Sequence, residues 1–158
     1  MPAPTRIAPY AAALTADVID VADPDDDLAT GRFVLLHDPS GPEAWQGTYR
    51  IVTFVRAGLD SELGQDPMLG QVGWSWLEES LSTGGADHTA AGGTVTRVVS
   101  ETFGALAGPP PTVEIEVRAS WTPLDDVVTH LEAWSNLLCT VAGLPPLPDG
   151  VTSLRRRR

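Results

Sequence analysis

A chain of 158 residues, 42% of them hydrophobic, suits one ordinary domain that buries roughly two-thirds of its unfolded surface, with a single core as the default. The formal charge is -11, there is no lysine, and four of the ten arginines are the last four residues, so the body is strongly acidic. Such a body repels phosphate backbones, which excludes a broad nucleic-acid surface and leaves basic protein partners tolerated.

The first 31 residues are rich in proline, alanine and aspartate and read as a lead-in, with "ADPDDDLATG" as an acidic turn. Within them "IAPYAAAL" at 7 to 14 is a poor signal peptide, since one arginine, which precedes it, and its proline and tyrosine suit that role badly. "ADVIDVAD" reads as a short strand weakened by its aspartates. "RFVLLHD" at 32 to 38 and "GTYRIVTFVRA" at 47 to 57 are β-rich runs separated by "PSGPEAWQ", which predicts a hairpin with a longish loop.

A helix follows, with Asp66 as N-cap, Pro67 at its first position and Gly84 and Gly85 closing it. Met68, Leu69, Val72 and Trp76 form the expected core stripe, while Trp74 falls on another arc with Leu77 and Leu81. "TGGADHTAAGG" then reads as a flexible connection. "TVTRVVSETFG" at 94 to 104 and "TVEIEVRASW" at 112 to 121 read as strands. In the second, Val113, Ile115, Val117, Ala119 and Trp121 alternate with Glu114, Glu116, Arg118 and Ser120, the period of a strand with one wet face.

The last helix is expected to start from Thr122 as N-cap, Pro123 at the first position and Asp125 completing a capping box. Val127, Leu131, Trp134, Leu138, Val141 and Ala142 make its apolar stripe, and Gly143 followed by "LPPLPDG" ends it. The order strand, strand, helix thus occurs twice, at roughly 31 to 82 and 92 to 142, and both second strands carry Val-Arg-Ala. The expectation is an α+β fold: an antiparallel sheet of four to five strands with helices packed on it. Residues 1 to 150 form one domain in this reading, and 151 to 158 an arginine-rich disordered tail.

Taken in order, "PAPTRIAPYAAAL", "GRFVLLHDP", "DPMLGQVGWSWLEESL", "GGTVTRVVSETFG", "VRASWTP" and "CTVAGLPPLPDGV" resemble an actinobacterial family known as domain of unknown function 3000. The resemblance covers nearly the whole chain and implies no activity and no site residues. Its members tend to carry more chain before "PAP", another helix, whose absence would leave a helix-covered surface bare. The element order also resembles the small acidic chaperones of type III secretion and their non-secretory relatives, an analogy at the level of fold alone.

Catalytic chemistry finds little support. His37 beside Asp38 and Pro39 reads as a turn residue, His88 as a solvated loop residue, and His130 as a packing residue at the edge of the last helix's stripe. No metal-ligand spacing, nucleophile elbow or phosphate-binding loop occurs, so neither a metal nor a cofactor is expected. The aspartates of "DPDDD" lack the spacing of a calcium loop. Cys139, the single cysteine, reads as a small buried hydrophobe in a reducing cytoplasm, and no stretch reaches the ~20 apolar residues of a membrane helix.

Three fates stay open for Trp74: packing against "IAPYAAAL", a homodimer seam, or an exposed anchor for another protein. Trp74, Leu77 and Leu81 are the candidate interface. The reading favoured is a non-catalytic protein-interaction domain, adaptor or chaperone-like, whose partner is another protein or a second copy. The alternative is a small enzyme or RNA-associated factor using Arg118, His37 or His130 in a cleft. Nucleic acid would bind only weakly, through Arg155, Arg156, Arg157 and Arg158.

Overall fold

The computed structural model describes residues 8–144. The "PAP" segment and the arginine tail lie outside these residues. Strand β1 spans Tyr10–Ile19, β2 Asp27–His37, β3 Tyr49–Leu59, β4 His88–Ser100 and β5 Thr112–Pro123; helices are α1 Ser61–Gly64, α2 Leu69–Thr83 and α3 Val127–Val141. All five strands pair antiparallel in the order β1-β2-β3-β5-β4, giving the expected α+β architecture as an open sheet.

The pleat sorts the side chains. Val113, Ile115, Val117, Ala119 and Trp121 of β5 are buried, as the alternation predicted, and so are Ile51, Val55 and Ala57 of β3. They meet α2 and α3, which both lie on this one face; α2 packs on β4 and β5 and beside α3, while α3 lies over β2 and β3. The two Val-Arg-Ala segments run side by side, with Val55 opposite Val117, so both arginines reach the other face. Burying Trp121 and Trp134 removes roughly 150–250 Å² per ring from water.

Several boundaries differ from expectation for local reasons. The lead-in contains a full strand: β1 begins at Tyr10, and its aspartates are tolerated because it is an edge strand. The segment read as a flexible connection already belongs to β4 from His88 onward, with a bulge between Thr89 and Gly92 where Ala90 takes φ 55°. Thr122 and Pro123 end β5, so α3 is capped instead by Asp126, whose carboxylate accepts from the Val128 N–H at 3.1 Å. Asp66 holds the Met68 N–H at 2.8 Å and α2 starts at Leu69.

The stripe of α2 is also rotated. Leu69, Gly73, Leu77 and Leu81 point into the core, Met68 is 51% exposed, and Trp74 and Trp76 are both half-buried on its flanks. On α3 the inward residues are His130, Ala133, Trp134, Leu137, Leu138 and Val141, with Val127 and Leu131 partly buried beside them. Cys139 is half-buried, less enclosed than expected. No helix among the described residues is long and apolar enough to cross a membrane.

Candidate functional site

Among the described residues, the face opposite the helices is uncovered over most of its area. Cross-strand neighbours there form rows: Ala13, Val34, Val52, Ser120 and Gly92 make one, and Thr15, Arg32, Phe54, Arg118 and Thr94 the next. At one end the loop between β2 and β3 folds over the sheet. Its 3₁₀ turn, Glu43–Trp45, brings Trp45 onto Val34 and Leu36 together with Ala8, and the Thr122 hydroxyl donates to the Trp45 carbonyl. From the edge of this small cluster, where Val34 and Leu36 line it, a groove of about 890 Å³ runs along the arginine row, floored by Val52 and Phe54 and walled by Arg32 and Arg118. That volume lies in the range of ligand sites.

The guanidiniums are held in place. Arg118 lies over the Phe54 ring, 4.8 Å from its centroid, and donates from Nη1 to Glu116 at 3.0 Å. Arg50 donates to the Thr122 and Ser120 hydroxyls at 3.0 and 2.9 Å, and its partial desolvation lowers its pKa. Arg56 pairs with Glu114 at 2.9 Å. Of the six arginines in the acidic body, four stand on this one face. Arg118 was expected to matter in a cleft and does line one. Arg32, Arg50, Val52 and Phe54 were not singled out, although Arg50, Val52, Phe54 and Arg56 share one parity in β3 and the alternation with Ile51, Thr53 and Val55 was readable.

The other candidates lie elsewhere. His37 is sandwiched between Tyr10 and Tyr49, ring centroids 5.8 and 4.1 Å away, and its Nδ1 donates to the Thr48 carbonyl at 3.1 Å. Next to it the Ser40 hydroxyl and N–H hold the Asp38 pKa below its usual value. His88 is not a solvated loop residue: it opens β4 and bonds the Ala86 carbonyl at 2.9 Å. Leu77 and Leu81, expected beside Trp74 at an interface, are each 1% exposed and belong to the core, because the side of α2 that carries them faces the sheet. Among the described residues Trp74 packs on that core and not on residues 8 to 14, whose strand β1 lies at the opposite sheet edge from β4.

His130 is fully buried on the helix side. The Trp121 indole N–H donates to its Nδ1 at 2.9 Å, so the proton sits on Nε2, which donates to the Asp125 carboxylate at 2.5 Å. Both ring nitrogens are thereby used, and no lone pair remains for a substrate. Burial raises the Asp125 pKa, but the Asp87 N–H and His130 more than offset it and leave the pKa below its usual value. A depressed folded pKa means that the stabilisation is present above the unfolded pKa and lost as pH falls through the folded one. Asp125→Asn, which keeps an acceptor but cannot titrate, is therefore expected to be less stable than the wild type at neutral pH. The gap should close as pH falls below about 4. Urea unfolding at stepped pH reads this, and a gap independent of pH would refute it.

An antiparallel sheet with helices on one face and a walled groove on the other defines an open-faced α+β domain. The chain belongs to the family described as "Protein of unknown function (DUF3000)", whose match covers residues 1–152. No curated protein and no solved structure matches the chain.

Proposed function

We propose that this chain is a cytoplasmic, non-catalytic protein-interaction module, adaptor or chaperone-like, whose recognition surface is the uncovered sheet face. The observation that carries this reading is the groove: an apolar floor flanked by fixed guanidiniums. Its lining offers one carboxylate, Asp17, and no histidine or cysteine, so a general base paired with a nucleophile is not suggested. The enzyme reading, a cleft using Arg118, His37 or His130, called for two of them within hydrogen-bond reach in one pocket. Their bonded neighbours are instead Glu116 and Phe54, Tyr10 and Tyr49, and Trp121 and Asp125, three separate environments.

Val52 is the residue to test, being 38% exposed at the centre of the floor and free to change without emptying the core. In capture from native lysate, Val52→Asp is expected to lose the specific partners about tenfold or more, because it places a charge on the buried centre of the contact. Trp74→Ser should retain them. Equal capture by wild type and Val52→Asp would sink the reading. Self-association through the same face is distinguished by sedimentation of the purified protein.

A further inference from the structure

Net charge suggests that partners of this protein are basic, but the open face argues the reverse. We infer that the groove takes an acidic segment of a partner protein: a short extended stretch with a carboxylate side chain among apolar ones, the carboxylate meeting Arg118 and the apolar groups lying on the exposed Val52. This rests on the protein-interaction reading and adds the partner's chemistry to it.

Charge complementarity carries the argument. Arg32, Arg50, Arg56 and Arg118 share the face with the acids Asp17, Glu114 and Glu116, while the chain as a whole carries -11. Glu114 and Glu116 are engaged by Arg56 and Arg118. Arg50 bonds only hydroxyls among the described residues, so a partly buried cation stands on the same face, in register with Leu36, without a carboxylate of its own among them. Partial desolvation makes such a charge more receptive to an anion than a surface arginine. Arg118 spends only Nη1 on Glu116 among the described residues. Phe54 beneath it fixes the plane, so its remaining N–H groups are set for a second carboxylate while its side chain is still 57% exposed.

The dimensions agree with a short segment. The groove runs from β1 to β4, four strand spacings or about 19 Å, the length of an extended peptide of five to six residues. Nucleic acid fits less well, because the acids outside the face repel phosphates over a Debye length and Arg118 already covers the Phe54 ring that a base would stack on.

The test uses the whole chain, ¹⁵N-labelled, and two capped pentapeptides, Leu-Val-Glu-Leu-Val and its glutamine counterpart, followed by amide shifts. The glutamate peptide is expected to perturb Val52, Phe54 and Ser120 and to bind about tenfold more tightly than the glutamine peptide, the worth of a charged hydrogen bond. Arg118→Gln, at an exposed position, should bring that ratio close to one. A ratio near one in the wild type, or one unmoved by Arg118→Gln, overturns the inference. So does a hexauridine oligomer shifting the same amides more strongly than the glutamate peptide. Any of these results leaves the protein-interaction reading to be judged separately by Val52→Asp in lysate, which does not depend on glutamate.

Discussion

Truncating Trp134 to alanine is expected to lower the unfolding free energy by about 3–5 kcal/mol, the range for emptying a buried aromatic site. The ring is 1% exposed, lies 5.6 Å from the Phe33 ring, and fits a notch that only glycine leaves open. A Cβ on Gly31 would stand 2.6 Å from Trp134 Cζ2 and 3.0 Å from the Phe54 carbonyl oxygen. Gly31→Ala is therefore also expected to be destabilising, by about 1–3 kcal/mol as an overpacked core. The indole N–H of Trp134 is buried without a hydrogen-bond partner among the described residues. Trp134→Phe thus removes an unsatisfied donor as well as area, and it should cost well under half of the alanine change, since that donor alone is worth about 1–3 kcal/mol. Urea midpoints at constant m-value report all three. A loss below about 1 kcal/mol for Trp134→Ala would mean that the ring is not seated as described.

Trp134 was legible in the sequence because it sits at helical spacing from Leu138 and Val141 with no competing stripe. The α2 helix was not, although its two tryptophans invited the question. Residues advance about 100° per position on a helix, so Trp74 and Trp76 fall on opposite flanks of the line through Leu77. Both flanks carry large apolar groups and periodicity cannot rank them. The deciding residue was Gly73, which looks like a gap in any hydrophobic pattern. It is the point of closest approach, where a Cβ would meet Ile115 Cδ1 at 3.0 Å and Val95 Cγ1 at 3.2 Å. A search for large side chains misses a position whose role is to have none.

The alternation in β5 announced a wet face because its outward residues are all polar. In β2 the same device fails: Val34 and Leu36 on the open face are as apolar as Phe33 on the helix face, because Trp45 and Ala8 cover them. That cover comes from a loop and from the start of the chain, and strand periodicity carries no trace of it. The arginine cluster was hidden for another reason. Arg32, Arg50 and Arg118 lie far apart in sequence and become neighbours only through the order β2-β3-β5, which no local pattern encodes. His130 is similar: its place on α3 was visible, but its donor is Trp121 on β5, and without that bond the ring could pass for a base.

Gly93→Ala is expected to cost about 3 kcal/mol or more, whereas Gly92→Ala, one residue away, should stay within about 0.5 kcal/mol. The contrast comes from the bulge. Beyond the register shift after Thr89, β4 approaches β5 so closely that a Cβ on Gly93 would lie 2.1 Å from the Arg118 carbonyl oxygen and 2.8 Å from Ala119 Cα. Both obstacles are backbone, so no rotamer change relieves them and the strands must separate. A Cβ on Gly92 meets nothing within 4 Å. Thermal and urea unfolding of the pair test this, and equal costs would refute the close approach. The same pair bears on recognition. Arg118 is anchored to the strand that Gly93 lets in, so separating β4 from β5 disturbs the guanidinium that the partner's carboxylate is proposed to meet. Gly92 lies on the groove wall in register with Ser120, where an added methyl narrows the groove and leaves the strand pairing intact. Gly92→Ala should therefore weaken the glutamate and glutamine peptides alike, while Arg118→Gln weakens the glutamate peptide selectively, separating the shape of the site from its charge.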